Sequence, residues 1–126
     1  MQFDWDVARA IMLKLEESET ASAWLSFEDV PGFTNSQEVA YTMHILAEGG
    51  FIHAMIEFSN TGDNRISFAW AKQLTYKGHE FLNSVKHDNI WNQVKTEFKN
   101  KLVGATADIV LDFVKNRGLV LLGLVS

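Results

Sequence analysis

Hydrophobic positions along the chain switch between helical and alternating periods, and the switches mark its elements. Ala8, Ile11, Met12 and Leu15 recur at helical spacing, which predicts an amphipathic helix from about Asp4 to Glu17 with those four residues buried. Asp4 can cap it, and Asp6 suits the positive end of the helix dipole. Ser18–Ser22 is polar and reads as a loop. Ala23, Leu25 and Phe27 then alternate with Trp24 and Ser26, the pattern of a short strand. Pro31-Gly32, inside Glu28–Phe33, signals a turn. Val39, Met43 and Leu46 follow at i, i+4 and i+7, predicting a helix over Asn35–Glu48, capped by Thr34 and closed by Gly49-Gly50.

Period two returns in Phe51–Phe58, where Ile52, Ala54, Ile56 and Phe58 fall on one side. Ser59–Asn64 is built of turn residues. A return strand is expected over Arg65–Lys72, with Ile66, Phe68 and Trp70 on one face. Thr75 then caps a helix, Tyr76–His87, whose apolar face is Phe81, Leu82 and Val85. Asp88 caps the next, Asn89–Leu102, with a stripe of Ile90, Trp91, Val94, Phe98 and Leu102. Gly104 breaks it. Thr106 opens a last helix through Asn116, with Ile109, Val110, Phe113 and Val114 apolar and Gly118 in the place of a C-cap glycine. Helix, short strand, helix and two-stranded wing make an α+β winged helix, here followed by C-terminal helices. Residues 1–87 are expected to form the winged-helix domain. Residues 88–126 are expected to be a helical extension that packs on it or forms a dimer interface.

Composition narrows the function. A chain of 126 residues, 47% hydrophobic, suits a single folded globular protein. The absence of cysteine excludes disulfides and thiolate metal sites and fits a reducing cytoplasm, the expected location. Met1–Asp6 lacks the basic-then-apolar order of a signal peptide. The longest apolar run, Leu119–Val125, is too short to span a bilayer, so no membrane partner is expected. Net charge is −5 and uneven: residues 1–88 hold 6 Lys/Arg against 13 Asp/Glu, a net of −7, and residues 89–126 hold 5 against 3, a net of +2. Nonspecific affinity for nucleic acid comes mostly from Lys and Arg releasing counterions, so this balance weighs against a polyanion ligand.

Catalytic chemistry finds little support. His79-Glu80 begins a zincin-like pattern, but the position four after His79 is Asn83. His44, His53 and His87 read as surface or helix-end residues. No serine lies in a nucleophile-elbow context, and no Gly-rich phosphate loop is present. Carboxylates such as Asp4/Asp6 and Glu16/Glu17 sit at helix ends or on solvated faces. The expectation is a non-enzyme without metal or cofactor. Trp5, Trp24, Trp70 and Trp91 lie within or beside apolar periodic patterns and read as core.

Binding residues are placed by the fold. Gln37, Tyr41, His44 and Glu48 fall at i, i+4, i+7 and i+11 and line the exposed face of the second helix, with Asn35 and Ser36 at its start. In a DNA-binding winged helix this face enters the major groove, and Asn60, Asn64 and Arg65 of the turn form the wing. Yet the helix holds no Lys or Arg, Glu38 and Glu48 would repel phosphates, and Arg65 stands near Asp63. Lys72 and Lys77 flank the wing. Against that charge, the order of helix, glycine break and hairpin sets the expected function: a winged-helix, transcription-regulator-like protein that binds double-stranded DNA. The alternative is an adaptor or inhibitor that keeps the fold and binds a host or phage protein.

Met43-His44-Ile45-Leu46-Ala47-Glu48-Gly49-Gly50-Phe51-Ile52 resembles the recognition-helix ending of winged-helix regulators. Leu74-Thr75-Tyr76-Lys77-Gly78-His79-Glu80-Phe81-Leu82 resembles the L-T-x-x-G-x-x-F-L step that follows the wing. With Asp88-Asn89-Ile90-Trp91-Asn92-Gln93-Val94-Lys95, they make the chain similar to domain-of-unknown-function family 2513, small proteins common in prophages and bacterial genomes. The resemblance implies a winged-helix fold and no particular activity.

The C-terminal region points to self-association. Six large apolar side chains in Leu119–Val125 cannot all be buried by one helix face, and burying a Leu or Val stabilises by roughly 1.5–3 kcal/mol. A homodimer is expected, through Trp91, Val94, Phe98, Phe113, Leu119, Leu121 and Leu122, two-fold symmetry being the commonest arrangement.

Overall fold

A computed structural model of the protein describes residues 4–17, 24–33, 35–63, 65–101, 113, 115–117, 120 and 123, with backbone alone over 97–101. The elements are α1 (Trp5–Glu17), β1 (Leu25–Ser26), a 3₁₀ turn (Phe27–Asp29), α2 (Ser36–Glu48), β2 (Ile52–Phe58), β3 (Ile66–Leu74), α3 (Tyr76–Val85) and α4 (Asp88–Lys101). The fold is α+β, with the three strands in one antiparallel sheet of order β1-β3-β2. The chain divides into two compact units, Met1–Gly78 and His79–Ser126.

In the first unit, α1 buries Ala8, Ile11, Met12 and Leu15, and α2 buries Val39, Met43 and Leu46, as their spacing predicts, and Val7 of α1 is buried with them. Both helices contact β3, and the sheet contributes Ile52, Ile66, Ala69 and Ala71 to the same core. Asp4 starts α1 by accepting the Asp6 N–H at 2.8 Å. The cap of α2 is Asn35, whose Oδ1 accepts the Glu38 N–H at 3.2 Å. Thr34, expected as that cap, lies outside the described residues. The first strand is shorter than its alternation predicts. Ser26 Oγ accepts the Glu28 N–H and turns Phe27–Asp29 into a 3₁₀ helix, so Phe27 is buried from that turn and not from a strand.

The ribbon departs from simple alternation. Ile66, Phe68 and Trp70 do not share a face. Glu57 pairs with Phe68 but Phe58 pairs with Ile66, leaving Ser67 as an extra residue; Ala54 pairs with Ala71 but His53 with Gln73, leaving Lys72 extra. These are bulges, and each inverts the alternation beyond it. Ile66, Ala69, Ala71 and Leu74 are therefore buried, while Phe68 is exposed and Trp70 is half-exposed on the outer face. Trp24, also expected in the core, is 46% exposed beside them.

The exit of α2 and the entry to α3 are joined by backbone. Gly50 has φ +82°, which reverses the chain after α2 at no Cβ cost. Phe51 O accepts the Thr75 N–H at 3.0 Å, and the Thr75 hydroxyl donates to Gly50 O while accepting the Gly78 N–H at 3.1 Å. Thr75 thereby caps α3 and ties it to the start of β2. Lys77 Nζ donates to Gly49 O at 3.1 Å and lies 5.0 Å from the centre of the Phe51 ring. A Cβ on Gly78 would sit 2.0 Å from Phe51 O, so only a hydrogen fits.

In the second unit, α3 buries Phe81, Leu82 and Val85, and α4 buries Ile90, Trp91 and Val94. Phe81 and Trp91 meet edge to face at 6.3 Å, and Lys115 Nζ donates to Glu80 Oε2 at 2.6 Å. Residues 113, 115–117 and 120 are helical, while Gly118 and most of the predicted last helix lie outside the described residues.

Two substitutions test this architecture. In a solvated helix Gly→Ala stabilises by about 1 kcal/mol. Gly78→Ala is expected to do the reverse and destabilise by about 1–3 kcal/mol or more through overpacking against Phe51. A urea-unfolding midpoint that rises contradicts the contact. Gln37 is the second site. Its Nε2 donates to Ile66 O at 2.9 Å and its Oε1 accepts the Ile66 N–H at 3.0 Å. Gln37→Ala strands both backbone groups of Ile66 and is expected to cost about 1–3 kcal/mol, read in the same assay. An unchanged midpoint would mean that Gln37 does not hold the ribbon.

Candidate functional site

The face expected to bind a partner is assembled from α2 and the ribbon turn, and the structure sorts its residues into two groups. Asn35 is occupied as the α2 cap, and Gln37 is occupied on both sides of its amide by Ile66. Ser36 is the first helical residue and is half-buried. These residues build the domain. Tyr41, His44 and Glu48 form the remaining surface of α2. His44 Nε2 lies 2.9 Å from Glu48 Oε1, and its ring stands edge-on to Phe58 of β2 at 5.2 Å. Tyr41 lies 6.5 Å from the same ring at a tilt of 48°. The seam is aromatic with a carboxylate at its end, because i, i+3 and i+7 spacing on a helix brings Tyr41, His44 and Glu48 to one side.

Asn60 and Arg65 are exposed in the turn, and Asn64 lies outside the described residues. The turn holds itself by local bonds. Ser59 N–H donates to Arg65 O at 2.7 Å, the Ser59 and Thr61 hydroxyls meet at 2.8 Å, and Asp63 Oδ1 accepts the Arg65 N–H at 3.1 Å. That last bond, with help from Thr61, holds the Asp63 carboxyl below its ordinary pKa. Arg65 therefore enters the surface with a carboxylate two residues away.

Near the start of α2, a depression of about 180 Å³ is lined by Asp4, Gly32, Asn35, Glu38 and Val39 among others. Its charged groups are both acidic. On the outer face of the sheet lies a surface that alternation misassigned. Phe68 and Trp70 stack at 5.3 Å and 13°, Lys72 Nζ lies 5.4 Å from the centre of the Trp24 ring, and Trp24, Met55 and Trp70 line a shallow apolar depression of about 350 Å³. Only the cross-strand register exposes it, since Met55 pairs with Trp70 and Glu57 with Phe68.

Of the residues expected at an oligomer interface, Trp91 and Val94 are buried within the chain itself and Phe113 is half-buried. The side chain of Phe98 and all of Leu119, Leu121 and Leu122 lie outside the described residues. Among the described residues, no group of three His, Asp or Glu is placed to hold a metal ion, and no helix is long and apolar enough to cross a membrane. His53, His79 and His87 are exposed. The surface therefore offers aromatic contact, hydrogen bonds and negative charge.

A family described as "Hypothetical protein (DUF2513)" matches residues 2–104, a span that contains α1 through α4. A Haemophilus influenzae protein (strain ATCC 51907 / DSM 11121 / KW20 / Rd), named "Uncharacterized protein", is 36% identical over 115 residues, which cover 91% of this chain and 90% of the relative. No solved structure matches the chain. On a match that spans every described strand and complete helix, this chain belongs to the domain-of-unknown-function family 2513.

Proposed function

We propose that the protein is a non-enzymatic binding module of winged-helix type whose α2 face engages another protein. The winged-helix reading is supported by the element order α1-β1-α2-β2-β3, with the ribbon directly after α2, and by the sheet order β1-β3-β2. The observation that carries the choice of partner is the chemistry of α2. It has no Lys or Arg, it carries Glu38 and Glu48, and Gln37, its best reader of base edges, is spent on Ile66. Phosphates approaching this face meet carboxylates, and the −7 charge on residues 1–88 adds to the repulsion. A protein with a basic surface meets the same groups as partners, and Tyr41 and His44 supply the aromatic contact common in interface cores.

A regulator that binds duplex DNA is the second reading, favoured by exposed Arg65 and Asn60 in the ribbon turn. A gel shift on random duplex DNA separates the two. The wild-type chain is expected to retain no duplex at about 50 mM salt, where nonspecific contacts are strong. Glu38→Lys with Glu48→Lys is expected to gain retention that falls as salt rises. Salt-sensitive retention by the wild-type chain would overturn the protein-binding proposal.

A further inference from the structure

We propose that two copies of this chain pair through the outer edge of β2, as antiparallel strands related by a two-fold axis at Met55. The proposal is independent of what α2 binds and uses neither α4 nor the C-terminal residues. It starts from sheet topology. With the order β1-β3-β2, β2 is an edge strand of seven residues, Ile52–Phe58. Both bulges leave their extra residue on β3, so β2 keeps regular one-to-one spacing. Edge strands are commonly guarded by charged side chains, lysine above all, by proline or by a bulge; β2 has no lysine, proline or bulged residue, and its one charge is Glu57. Among the described residues, no backbone hydrogen bond reaches β2 from outside the ribbon. Met55 is 54% exposed and Phe58 47% exposed, so the strand leaves large apolar groups in water.

The sequence of β2 is complementary to itself when reversed. A two-fold axis perpendicular to the sheet keeps each face on its own side, so it must pass through a residue and not between two. With Met55 on the axis, all seven residues find partners. On the outer face, His53 lies opposite Glu57 of the partner subunit, Met55 opposite Met55 of the partner subunit, and Glu57 opposite the partner's His53. On the inner face, Ile52 lies opposite the partner's Phe58 and Ala54 opposite the partner's Ile56. Every pair is apolar with apolar or imidazole with carboxylate. An axis at Ala54 or Ile56 would instead set Glu57 opposite Phe51 or Met55 and leave residues unmatched. An imidazole N–H donates to a carboxylate, and such cross-strand pairs favour one register over its neighbours. The result is a continuous six-stranded sheet whose outer apolar groups meet at the axis, and symmetric pairing closes after two copies.

The test is sedimentation velocity and light scattering on the full chain over a concentration series, with far-UV circular dichroism as a check on folding. The wild-type chain is expected to form a dimer. Met55→Lys sets two ammonium groups against each other at the axis and is expected to give a folded monomer. Glu57→Lys sets a cation opposite His53 and is expected to weaken the dimer about tenfold. Combining it with His53→Glu reverses the pair and is expected to restore the affinity. This rescue decides the matter even where Met55→Lys perturbs folding, since a merely structural effect would not be repaired by exchanging two exposed side chains. A wild-type chain that stays monomeric to its solubility limit overturns the proposal. So does a dimer that neither Met55→Lys nor Glu57→Lys weakens.

Discussion

The carbonyl of Phe51 is the point on which the first unit depends. It accepts the N–H of Thr75 and abuts Gly78, so the residue that opens the ribbon also receives the chain as it leaves. α2 must end where Gly50 can turn, the ribbon must return to the same spot, and the first turn of α3 must carry a residue without a side chain, Gly78. Thr75 links these demands, since its hydroxyl bonds Gly50 and Gly78 at once. Steric exclusion at one atom, together with three hydrogen bonds, sets the path from Gly49 to Gly78. The G-G-F-I and L-T-x-x-G segments, far apart in sequence, are two halves of this one junction.

At the start of α2 and along it, three polar side chains bond to backbone. Asn35 closes the helix start, Gln37 grips the first residue of β3, and Thr42 donates to Glu38 O. Such bonds matter because a backbone group left without a partner at a packed interface costs more than the bond itself stabilises. What remains for a ligand is the Tyr41-His44-Glu48 seam. Its carboxylate, the acidic depression near Glu38 and the charge of the unit give one sign to the whole face, which is the physical basis for preferring a protein partner.

Much of this was legible from residue patterns. Helical spacing placed the buried faces of α1 and α2, and Thr75 and Asp88 marked where α3 and α4 begin, because a 3.6-residue period and a capping side chain are local properties. The sequence pattern also carried the ribbon and its turn. It failed where the answer is set across strands. Ile66, Phe68 and Trp70 alternate perfectly, yet the bulge at Ser67 turns the first away from the other two, and no residue near it announces a bulge. Trp24 shows the same limit: its neighbours are apolar, but a two-residue β1 leaves it uncovered. Gln37 has the exposed-face spacing of a groove contact; its partner, Ile66, is 29 residues away and invisible to local reasoning.

The bulges have a further consequence for how this ribbon can vary. β3 has nine residues and β2 has seven, and the two surplus residues are Ser67 and Lys72. Extra residues of this kind increase the right-handed coil of a ribbon. A chain lacking Ser67 would close the gap in the ladder and keep Ile66 inward and Phe68 outward, since adjacent positions on a regular strand already point to opposite faces. An extra residue here adds twist and leaves the cross-strand partners on either side the same. Family members that differ by a residue at this point would keep the same flanking cross-strand pairs and differ in how strongly the ribbon twists.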